Sequence, residues 1–508
     1  MSKKINNKFL FCLIPFLLGI ITSFSLPPYN LFLLNFFTFS FFFIFFLSNF
    51  KKNTWKSFII GWLFGFGYFL TNIYWITNSL TFEEIFKPLI PIALLLIPLF
   101  LGLFYGLATY ICSFFNLDRN YSSILIFALV LSVTEFIRGT ILGGFPWNLI
   151  AYSWSQNLEF LQILKLIGTY SFNLLSITLF LVPAGIFFNK SQSSKIILII
   201  SLVFLMVINF YYGKSVINNY NNKAQNINLD TTIKIISPKI EIDRFFKNED
   251  PSIIINELIK LSKPSLENTI FVFPEGILTS IFLEDIYIYK NFFKDSFLEN
   301  HKILLGINSN QNSKIYNSMV VLDNNLNVLN KYNKNKLVPF GEFLPLENIF
   351  SKIGLKKITQ GYVSFSSSND RKILQINNIK FLPLICYEII YSGRLNKSGE
   401  EFNFIINISE DGWFGDSIGP QQHFSHSIFR SIEEGKNLIR STNGGISAYI
   451  DATGNVKNKI KSTEKGVIEV KSYKKISNTF FSTQGNKIFF YFLFFYIILI
   501  FFIKKRGR

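Results

Sequence analysis

The sequence predicts an eight-span α-helical membrane domain with an α/β layered domain inserted between its seventh and eighth spans. The 508 residues are 49% hydrophobic, with a mean hydropathy of +0.33. Eight long apolar windows occur along the chain, and a helix of about 20 apolar residues crosses a bilayer core. Between residues 213 and 486, short β-rich runs instead alternate with polar, helix-like stretches. That alternation is typical of an α/β layered fold.

The apolar windows set the predicted domain boundaries. They fall near residues 9–26, 31–49, 57–77, 88–114, 122–138, 158–188, 195–212 and 487–503. No small-residue cleavage site follows the first window and further spans do, so we expect a retained helix rather than a cleaved signal peptide. The predicted parts are a membrane domain over 1–212, a polar domain over 213–486, and a last span with a basic tail over 487–508.

Basic residues in the short loops predict the orientation of the spans. They cluster on one side if the spans alternate: Lys3, Lys4, Lys8, Lys51, Lys52, Lys56, Arg119, Lys190, Lys195, Lys504, Lys505, Arg506 and Arg508. Positive loops favour the cytoplasm, so both termini are expected there. Because seven spans precede it, the polar domain is expected on the outer face, which is the periplasmic side of the inner membrane in a Gram-negative bacterium.

The net charge of +18 does not indicate a nucleic-acid partner. The basic residues flank the apolar windows or are spread among Asn and Ile, so they form no patch. The chain has no zinc-type Cys/His spacing, no phosphate loop and no dinucleotide fingerprint. We therefore expect no nucleic acid, no metal and no cofactor.

Residue patterns predict the elements of the polar domain. Strands are expected near 268–273, 302–306, 318–322, 380–385, 402–408 and 445–454, and helices near 283–300 and 422–440. At roughly 270 residues this domain is large enough for its own core.

Three polar residues lie where strand-like runs end, namely Glu275, Lys334 and Cys386. Such positions often carry function, because a rigid sheet fixes them. A carboxylate can remove the thiol proton, and an ammonium can stabilise the thiolate and an oxyanion. Cys12 and Cys112 belong to apolar runs, so Cys386 has no disulfide partner within the polar domain. These residue types predict a thiol nucleophile that does not require histidine.

Taken singly, each of these residues also has an ordinary structural explanation. A lone cysteine after an apolar run is usually a small buried hydrophobic residue. A glutamate after Phe-Pro is usually a turn residue or a helix cap. Lys334 lies between Lys331 and Lys336, which is typical of solvated lysines. His423 has no second ligand at metal spacing, so a structural role is expected for it.

Taken together and in order, the motifs resemble those of the carbon–nitrogen hydrolase (nitrilase) superfamily. They are Phe-Pro-Glu275, Tyr-Asn-Lys334, Val-Pro-Phe-Gly-Glu342 and Cys386-Tyr387-Glu388. In the membrane half, Gly143-Gly-Phe-Pro-Trp147 is similar to a loop of the apolipoprotein N-acyltransferase family, a membrane-bound branch of that superfamily. Further similar segments are Asp411–Gly415, Gly419–His423 and Arg440–Ile446. The resemblance covers nearly the whole chain, including its spans.

The resemblance implies a nitrilase-like αββα sandwich and a Glu-Lys-Cys catalytic set. Cys386 would be the nucleophile, Glu275 the general base and Lys334 the oxyanion partner. The supporting residues would be Glu342, Tyr387 and Glu388. A fatty acyl chain would pass from a membrane phospholipid, typically phosphatidylethanolamine, through a cysteine thioester to the N-terminal amine of a diacylglyceryl-cysteine apolipoprotein. Nothing in this scheme requires more than a monomer.

Two departures from the family pattern stand beside the expected site. The family reads Ser/Thr-Asn-Asp-Ala-Trp-Phe-Gly where this chain reads Ser409-Glu410-Asp411-Gly-Trp-Phe-Gly. Glu410 thus replaces an asparagine, which is expected to alter hydrogen bonding in the loop. The family also carries a tryptophan soon after the first strand of the domain, and Phe245 or Phe246 is the candidate to take its place.

Two other functions fit parts of the sequence. A membrane-tethered nitrilase-type amidase would use the same catalytic residues with water as the second nucleophile, and motifs around the cysteine do not separate it from a transferase. A transporter or sensor with an outer binding domain is the non-enzymatic alternative. Glu135 and Arg138 near a span end are ionisable, but the chain shows no paired repeat, which disfavours transport.

Overall fold

A computed structural model describes residues 8–50, 53–188, 191–247, 250–345, 364–369, 371–393, 395–396 and 398–506. Of the basic loop residues named above, Lys3, Lys4, Lys51, Lys52, Lys190 and Arg508 lie outside this part, and so does the side chain of Arg506. The chain folds into two compact units. The helical unit comprises Met1–Asn218 and Gln484–Arg508, and the sheet unit comprises Asn219–Thr483.

The α-helices follow the predicted windows and then alternate with strands. They are α1 (Lys8–Ser23), α2 (Leu34–Asn49), α3 (Thr54–Asn72), α4 (Ile90–Cys112), α5 (Tyr121–Arg138), α6 (Leu158–Leu161), α7 (Leu164–Leu181), α8 (Gln192–Lys223), α9 (Pro251–Ser262), α10 (Lys290–Ser296), α11 (Gly419–Glu434), α12 (Phe480–Gln484) and α13 (Lys487–Arg506). Short 3-10 helices span Tyr74–Leu80, Glu84–Leu89, Ile150–Trp154, Val182–Phe187, Ile242–Phe245, Leu283–Tyr289, Cys386–Ile390 and Gly412–Phe414.

Several helices of the helical unit are long and apolar enough to cross a membrane. Within the described ranges there are five by length and composition, and up to six if the bent pair Thr54–Asn72 and Tyr74–Leu80 is one span. The helices α1 and α2 are apolar but shorter. The count of eight spans therefore stays a prediction.

Small residues let the helices of this unit approach each other closely. A Cβ on Gly19 of α1 would lie 2.0 Å from the carbonyl oxygen of Phe64 in α3. A Cβ on Gly61 of α3 would lie 2.3 Å from the carbonyl oxygen of Tyr105 in α4. Backbone contact of this kind is how apolar helices associate when lipid removes the hydrophobic driving force between them.

A buried polar cluster connects α4, α5 and α7. The carboxylate of Glu135 accepts hydrogen bonds from the hydroxyl of Tyr105, at 2.8 Å, and from the amide of Asn173. The guanidinium of Arg138 lies 3.7 Å from the same carboxylate and donates to the carbonyl of Phe145. The pair thus fixes the loop after α5 from inside the bundle, which is the usual arrangement for paired charges among apolar helices.

The sheet unit contains thirteen strands within the described residues. They are β1 (Gln225–Ser237), β2 (Thr269–Val272), β3 (Leu278–Phe282), β4 (Lys302–Gln311), β5 (Lys314–Leu322), β6 (Val328–Asn333), β7 (Leu374–Ile376), β8 (Ile379–Ile385), β9 (Phe404–Glu410), β10 (Asn437–Asn443), β11 (Ser447–Ile450), β12 (Val456–Ile460) and β13 (Gly466–Lys475). The first sheet has the order β13-β1-β2-β4-β5-β6, with β3 beside β4, and the second has the order β12-β11-β10-β9-β8-β7.

These sheets form the two central layers of an αββα sandwich. Helices α9 and α10 cover the first sheet, and a core that includes Ile255, Phe271 and Phe293 fills the space between them. Helix α11 packs on the second sheet. The sheets touch through β1 and β10, where the hydroxyl of Ser441 donates to the carbonyl of Ile236 at 2.8 Å. The predicted nitrilase-like sandwich is confirmed.

Two predicted helices are shorter than expected. The helix predicted over 422–440 is wrong beyond Glu434, because Gly435 adopts φ +62° and ends α11. The residues after it form the buried strand β10 instead. The stretch 283–300 begins as a 3-10 turn and is α-helical only in α10. In both places helical spacing continues past the point where the backbone turns.

Candidate active site

The three predicted site residues follow strands of the two facing sheets. Glu275 lies in the turn after β2, Lys334 directly follows β6, and Cys386 directly follows β8. The turn after β2 is held close to β4, since the amide of Gly306 donates to the carbonyl of Pro274 at 3.1 Å. A Cβ on Gly306 would lie 2.5 Å from the Cα of Glu275, so only glycine permits this approach.

A buried ammonium between two carboxylates forms the centre of the site. Lys334 Nζ lies 3.1 Å from Glu275 Oε1 and 2.9 Å from Glu342 Oε1. The amide of Asn317 donates to the same two oxygens, at 2.7 and 2.8 Å. Burial by itself lowers the pKa of Lys334, but the two carboxylates outweigh burial and raise the pKa well above 10.5. The lysine is therefore a cation and not a base.

Cys386 occupies a strained position beside this cluster. Its φ is +49°, in the left-handed region that residues with a Cβ seldom adopt, and strain of this kind is concentrated at functional sites. Burial and then the carboxylate of Glu275 raise the thiol pKa well above 9.0, while the ammonium of Lys334 opposes them. The thiol is consequently protonated at neutral pH, and it lies close enough to sense both charges.

Glu388 joins the loop of Lys334 to the turn of Cys386. Its carboxylate is fully buried and accepts hydrogen bonds from the hydroxyl of Tyr332 (2.7 Å), the amides of Asn335 (2.9 Å), Lys336 (3.1 Å) and Ile385 (2.8 Å), and the guanidinium of Arg371 (3.0 Å).

Tyr387 is buried as well, with its ring 5.5 Å from that of Tyr391. The structure thus places all six predicted residues in or beside one site.

The structure adds residues that sequence reasoning missed. Asn317 lies inside β5, and no local pattern distinguishes it from any other strand asparagine. Asp411 accepts hydrogen bonds from Ser409 at 2.6 Å, from His423 at 2.9 Å and from Arg440 at 2.8 Å. Asp411, His423 and Arg440 belong to segments that resemble the family, and that resemblance was the available signal.

The carboxylate of Asp411 is buried among these partners. Burial by itself raises the pKa of Asp411, but His423 and Arg440 outweigh it and hold the pKa at about 2. Within the described part of the chain, no three His, Cys, Asp or Glu side chains are arranged to hold a metal ion.

The two departures from the family motif lie at the same loop, which follows β9. The carboxylate of Glu410 is buried and pairs with the guanidinium of Arg244. The ring of Phe245 lies 4.9 Å from that of Trp413, and the ring of Phe246 lies 6.2 Å from it. Both phenylalanines therefore border the loop that carries Glu410.

Comparison with known proteins finds the same two parts. The model of the apolipoprotein N-acyltransferase N-terminal domain matches residues 18–182, and the carbon–nitrogen hydrolase model matches residues 296–472. The apolipoprotein N-acyltransferase of Rickettsia prowazekii is 32% identical over 479 residues, which are 92% of this chain and 94% of that protein. That of Rhizobium rhizogenes is 29% identical over 479 residues, which are 90% and 89% of the two chains.

Solved structures similar to part of the chain belong to the nitrilase superfamily. A superfamily protein of Xanthomonas campestris matches 48% of this chain and 91% of its own, with 12% identity and a TM-score of 0.35. Nit3 of Saccharomyces cerevisiae matches 49% of this chain and 90% of its own, with 13% identity and a TM-score of 0.34.

Alkylation of Cys386 by iodoacetamide is expected to respond in opposite directions to the two charges. Because Glu275 raises the thiol pKa and Lys334 lowers it, Glu275→Gln should speed alkylation at pH 8, and Lys334→Met should slow it, each by about threefold or more. Mass spectrometry of the peptide that contains Cys386 measures the rate. Cys12 is exposed and is replaced by serine in every variant. Equal rates in all variants would contradict the proximity of these charges.

Proposed function

The chain belongs to the apolipoprotein N-acyltransferase family, and from this premise we propose that it moves a fatty acyl chain from a membrane phospholipid to the N-terminal amine of a diacylglyceryl-cysteine apolipoprotein. The observation that carries the proposal is the buried set of Glu275, Lys334 and Glu342 beside the strained thiol of Cys386. A protonated thiol next to a carboxylate and a fixed cation is suited to acyl transfer through a thioester.

In the first step, the thiol of Cys386 attacks the ester carbonyl of the phospholipid, and the carboxylate of Glu275 takes the thiol proton. The tetrahedral oxyanion lies against the ammonium of Lys334. Collapse breaks the ester C–O bond, and the proton on Glu275 passes to the leaving alkoxide. The products are a lysophospholipid and an acyl thioester on Cys386. The raised thiol pKa supports the need for a base in this step.

In the second step, the neutral α-amine of the apolipoprotein attacks the thioester carbonyl. Glu275 takes a proton from the amine, and collapse breaks the C–S bond. The thiolate of Cys386 recovers its proton from Glu275, and the acceptor leaves with a new amide bond. The same carboxylate thus acts as base and then as acid in each half-reaction, and no cofactor is needed.

The hydrogen bonding of Lys334 supports its proposed role. An ammonium has three N–H bonds, and among the described residues two of them go to Glu275 and Glu342. One remains for an oxyanion. The raised pKa of Lys334 supports a permanent charge at this point, which stabilises a developing oxyanion without any reorganisation of solvent. Glu342, Tyr387 and Glu388 would hold the surrounding loops.

The helical unit favours transfer over the amidase alternative. An amidase needs water as its second nucleophile, whereas both substrates of the proposed reaction are anchored in lipid. A catalytic unit attached to apolar helices on both sides meets such substrates at high effective concentration. We further propose that the sheet unit lies on the periplasmic face of the inner membrane, with both termini in the cytoplasm. The basic loops favour the cytoplasm, and seven predicted spans precede the sheet unit.

A fatty-acyl thioester on Cys386 is the expected intermediate. Purified protein mixed with phosphatidylethanolamine vesicles in the absence of acceptor should gain the mass of one acyl chain on the peptide that contains Cys386. Cys386→Ser should lose at least about 1,000-fold of the transfer rate, because a hydroxyl in this position is a far weaker nucleophile. Wild-type transfer by that variant would contradict the assignment.

The acceptor distinguishes transferase from amidase. After depletion of the protein, the N termini of lipoproteins should lack their amide-linked acyl chain by mass spectrometry. Unchanged N termini, together with an acylated Cys386 that water releases, would favour the amidase instead.

Labelling from outside the cell tests the proposed orientation. In a Cys12→Ser background, Leu266→Cys lies in the sheet unit at a residue that is 86% exposed. A membrane-impermeant maleimide should label it in spheroplasts. The matched variant Trp55→Cys, at a 65% exposed residue in the first turn of α3 beside Lys56, should be labelled only after lysis. The reverse pattern would place the sheet unit in the cytoplasm.

A further inference from the structure

Glu410 and Arg244 form a buried ion pair at the edge of the site. Their side chains are 2% and 1% exposed. Glu410 also accepts hydrogen bonds from the amide of Gly412, at 2.9 Å, and from the side chain of Asn443, at 3.0 Å. The guanidinium of Arg244 donates further to the carbonyl of Glu241 at 3.0 Å. The pair therefore connects the segment before α9 to the end of β9.

Both members of the pair also contact the chain around Glu275. The backbone amide of Glu410 donates to Glu275 Oε2 at 3.0 Å. The guanidinium of Arg244 donates to the carbonyl of Gly276, the next residue, at 3.2 Å. One carboxylate oxygen of Glu275 thus accepts hydrogen bonds from Lys334 and Asn317. The other accepts a hydrogen bond from the backbone amide of Glu410.

Arg244 also packs against aromatic side chains beside the same turn. The guanidinium of Arg244 lies 4.7 Å from the ring centre of Phe245, and Phe245 packs on Trp413. A Cβ on Gly276 would lie 3.2 Å from the ring of Phe245. Any movement of Arg244 would consequently move Phe245 against the backbone next to Glu275.

We propose that Glu410 and Arg244 are positioning residues that act as one unit to hold Glu275 where it can exchange a proton with Cys386. This inference rests on the proposed function. Stability alone is a weak reason for such a pair, because the desolvation of two buried charges offsets most of their attraction. A pair that contacts the carboxylate of Glu275 and the carbonyl of Gly276 instead fixes the position of the base, which proton transfer requires.

The pair is also sensitive to pH. Burial raises the pKa of Glu410 to about 7, against the opposing effect of Arg244. The charged groups that face it are Arg244, Glu275, Asp411 and, across Asp411, Arg440. As the pH falls through about 7, Glu410 gains a proton and the attraction to Arg244 weakens. The position of Glu275 is then less firmly held in acid, and the acylation rate falls.

The test measures the single-turnover acylation rate of Cys386 by phosphatidylethanolamine vesicles, expressed per folded protein. Glu410→Gln and Arg244→Gln should each lower this rate by about tenfold, with little change in the KM for lipid. The double variant should be no slower than the slower single variant, because both changes disable the same unit. Arg244→Lys, which keeps the charge but loses the planar fork, should also be slow.

The matched control is Asp243→Asn. Asp243 forms an exposed pair with Lys247 at 2.8 Å, next to Arg244 in the chain, and its loss should change the rate by less than about twofold. Wild-type protein should lose activity below about pH 7, whereas the double variant should lack this loss. Any titration of the other groups is common to both proteins.

Several results would overturn the inference. They are wild-type rates per folded protein in the single variants, additive losses in the double variant, or the same acid loss in the double variant. Lower melting temperatures with unchanged rates would show that the pair serves stability only. Wild-type protein that never acylates Cys386 would reject the proposed function, and this inference with it. If the single variants acylate Cys386 slowly and the wild type acylates it normally, the proposed function stands and the positioning role of the pair is supported.

Discussion

The cation of Lys334 is the constraint on which the site depends. A full charge inside a protein is tolerated only when opposite charges and hydrogen bonds surround it. Here Glu275 and Glu342 supply the charges, and Asn317 bonds the same two oxygens from β5. The turn after β2, the strand β5 and the chain on either side of Lys334 must therefore converge. Folding the first sheet thus assembles the charged half of the site before any substrate is present.

The second sheet brings the nucleophile to this charge cluster. Cys386 follows β8 at a positive φ, which turns the chain sharply at the strand end. Glu388 binds amides on both sides, Ile385 before the cysteine and Asn335 after the lysine, and so connects the two sheets at their ends. Thiol and ammonium belong to different layers of the sandwich, and a fully buried carboxylate sets the register between them. The packing of the sandwich consequently also sets the geometry of the catalytic residues.

Predictability from sequence differs between the layers and the site. Apolar runs located β2 and β8 well, because buried strands with parallel neighbours are continuous and apolar. The run at 302–306 located only the first half of β4. Strand β10 was missed because Arg440 and Asn443 make it look polar, although Asp411 and Glu410 satisfy these side chains in the interior. Only the order of the motifs separated Glu275, Lys334 and Cys386 from ordinary residues. Asn317 could not be found, since its role comes from strand register and not from its neighbours in sequence.

The exchange of an asparagine for Glu410 follows the same electrostatic rule as Lys334. An unpaired carboxylate in this position would add a negative charge beside Glu275 and oppose formation of a thiolate at Cys386. Arg244 supplies the compensating charge and also donates hydrogen bonds to the backbone carbonyls of Glu241 and Gly276. The charge of Glu410 is therefore balanced by Arg244 within this chain. Taken alone, Glu410 weakens the resemblance to the family motif. Together with Arg244 it preserves the charge balance around the proposed base.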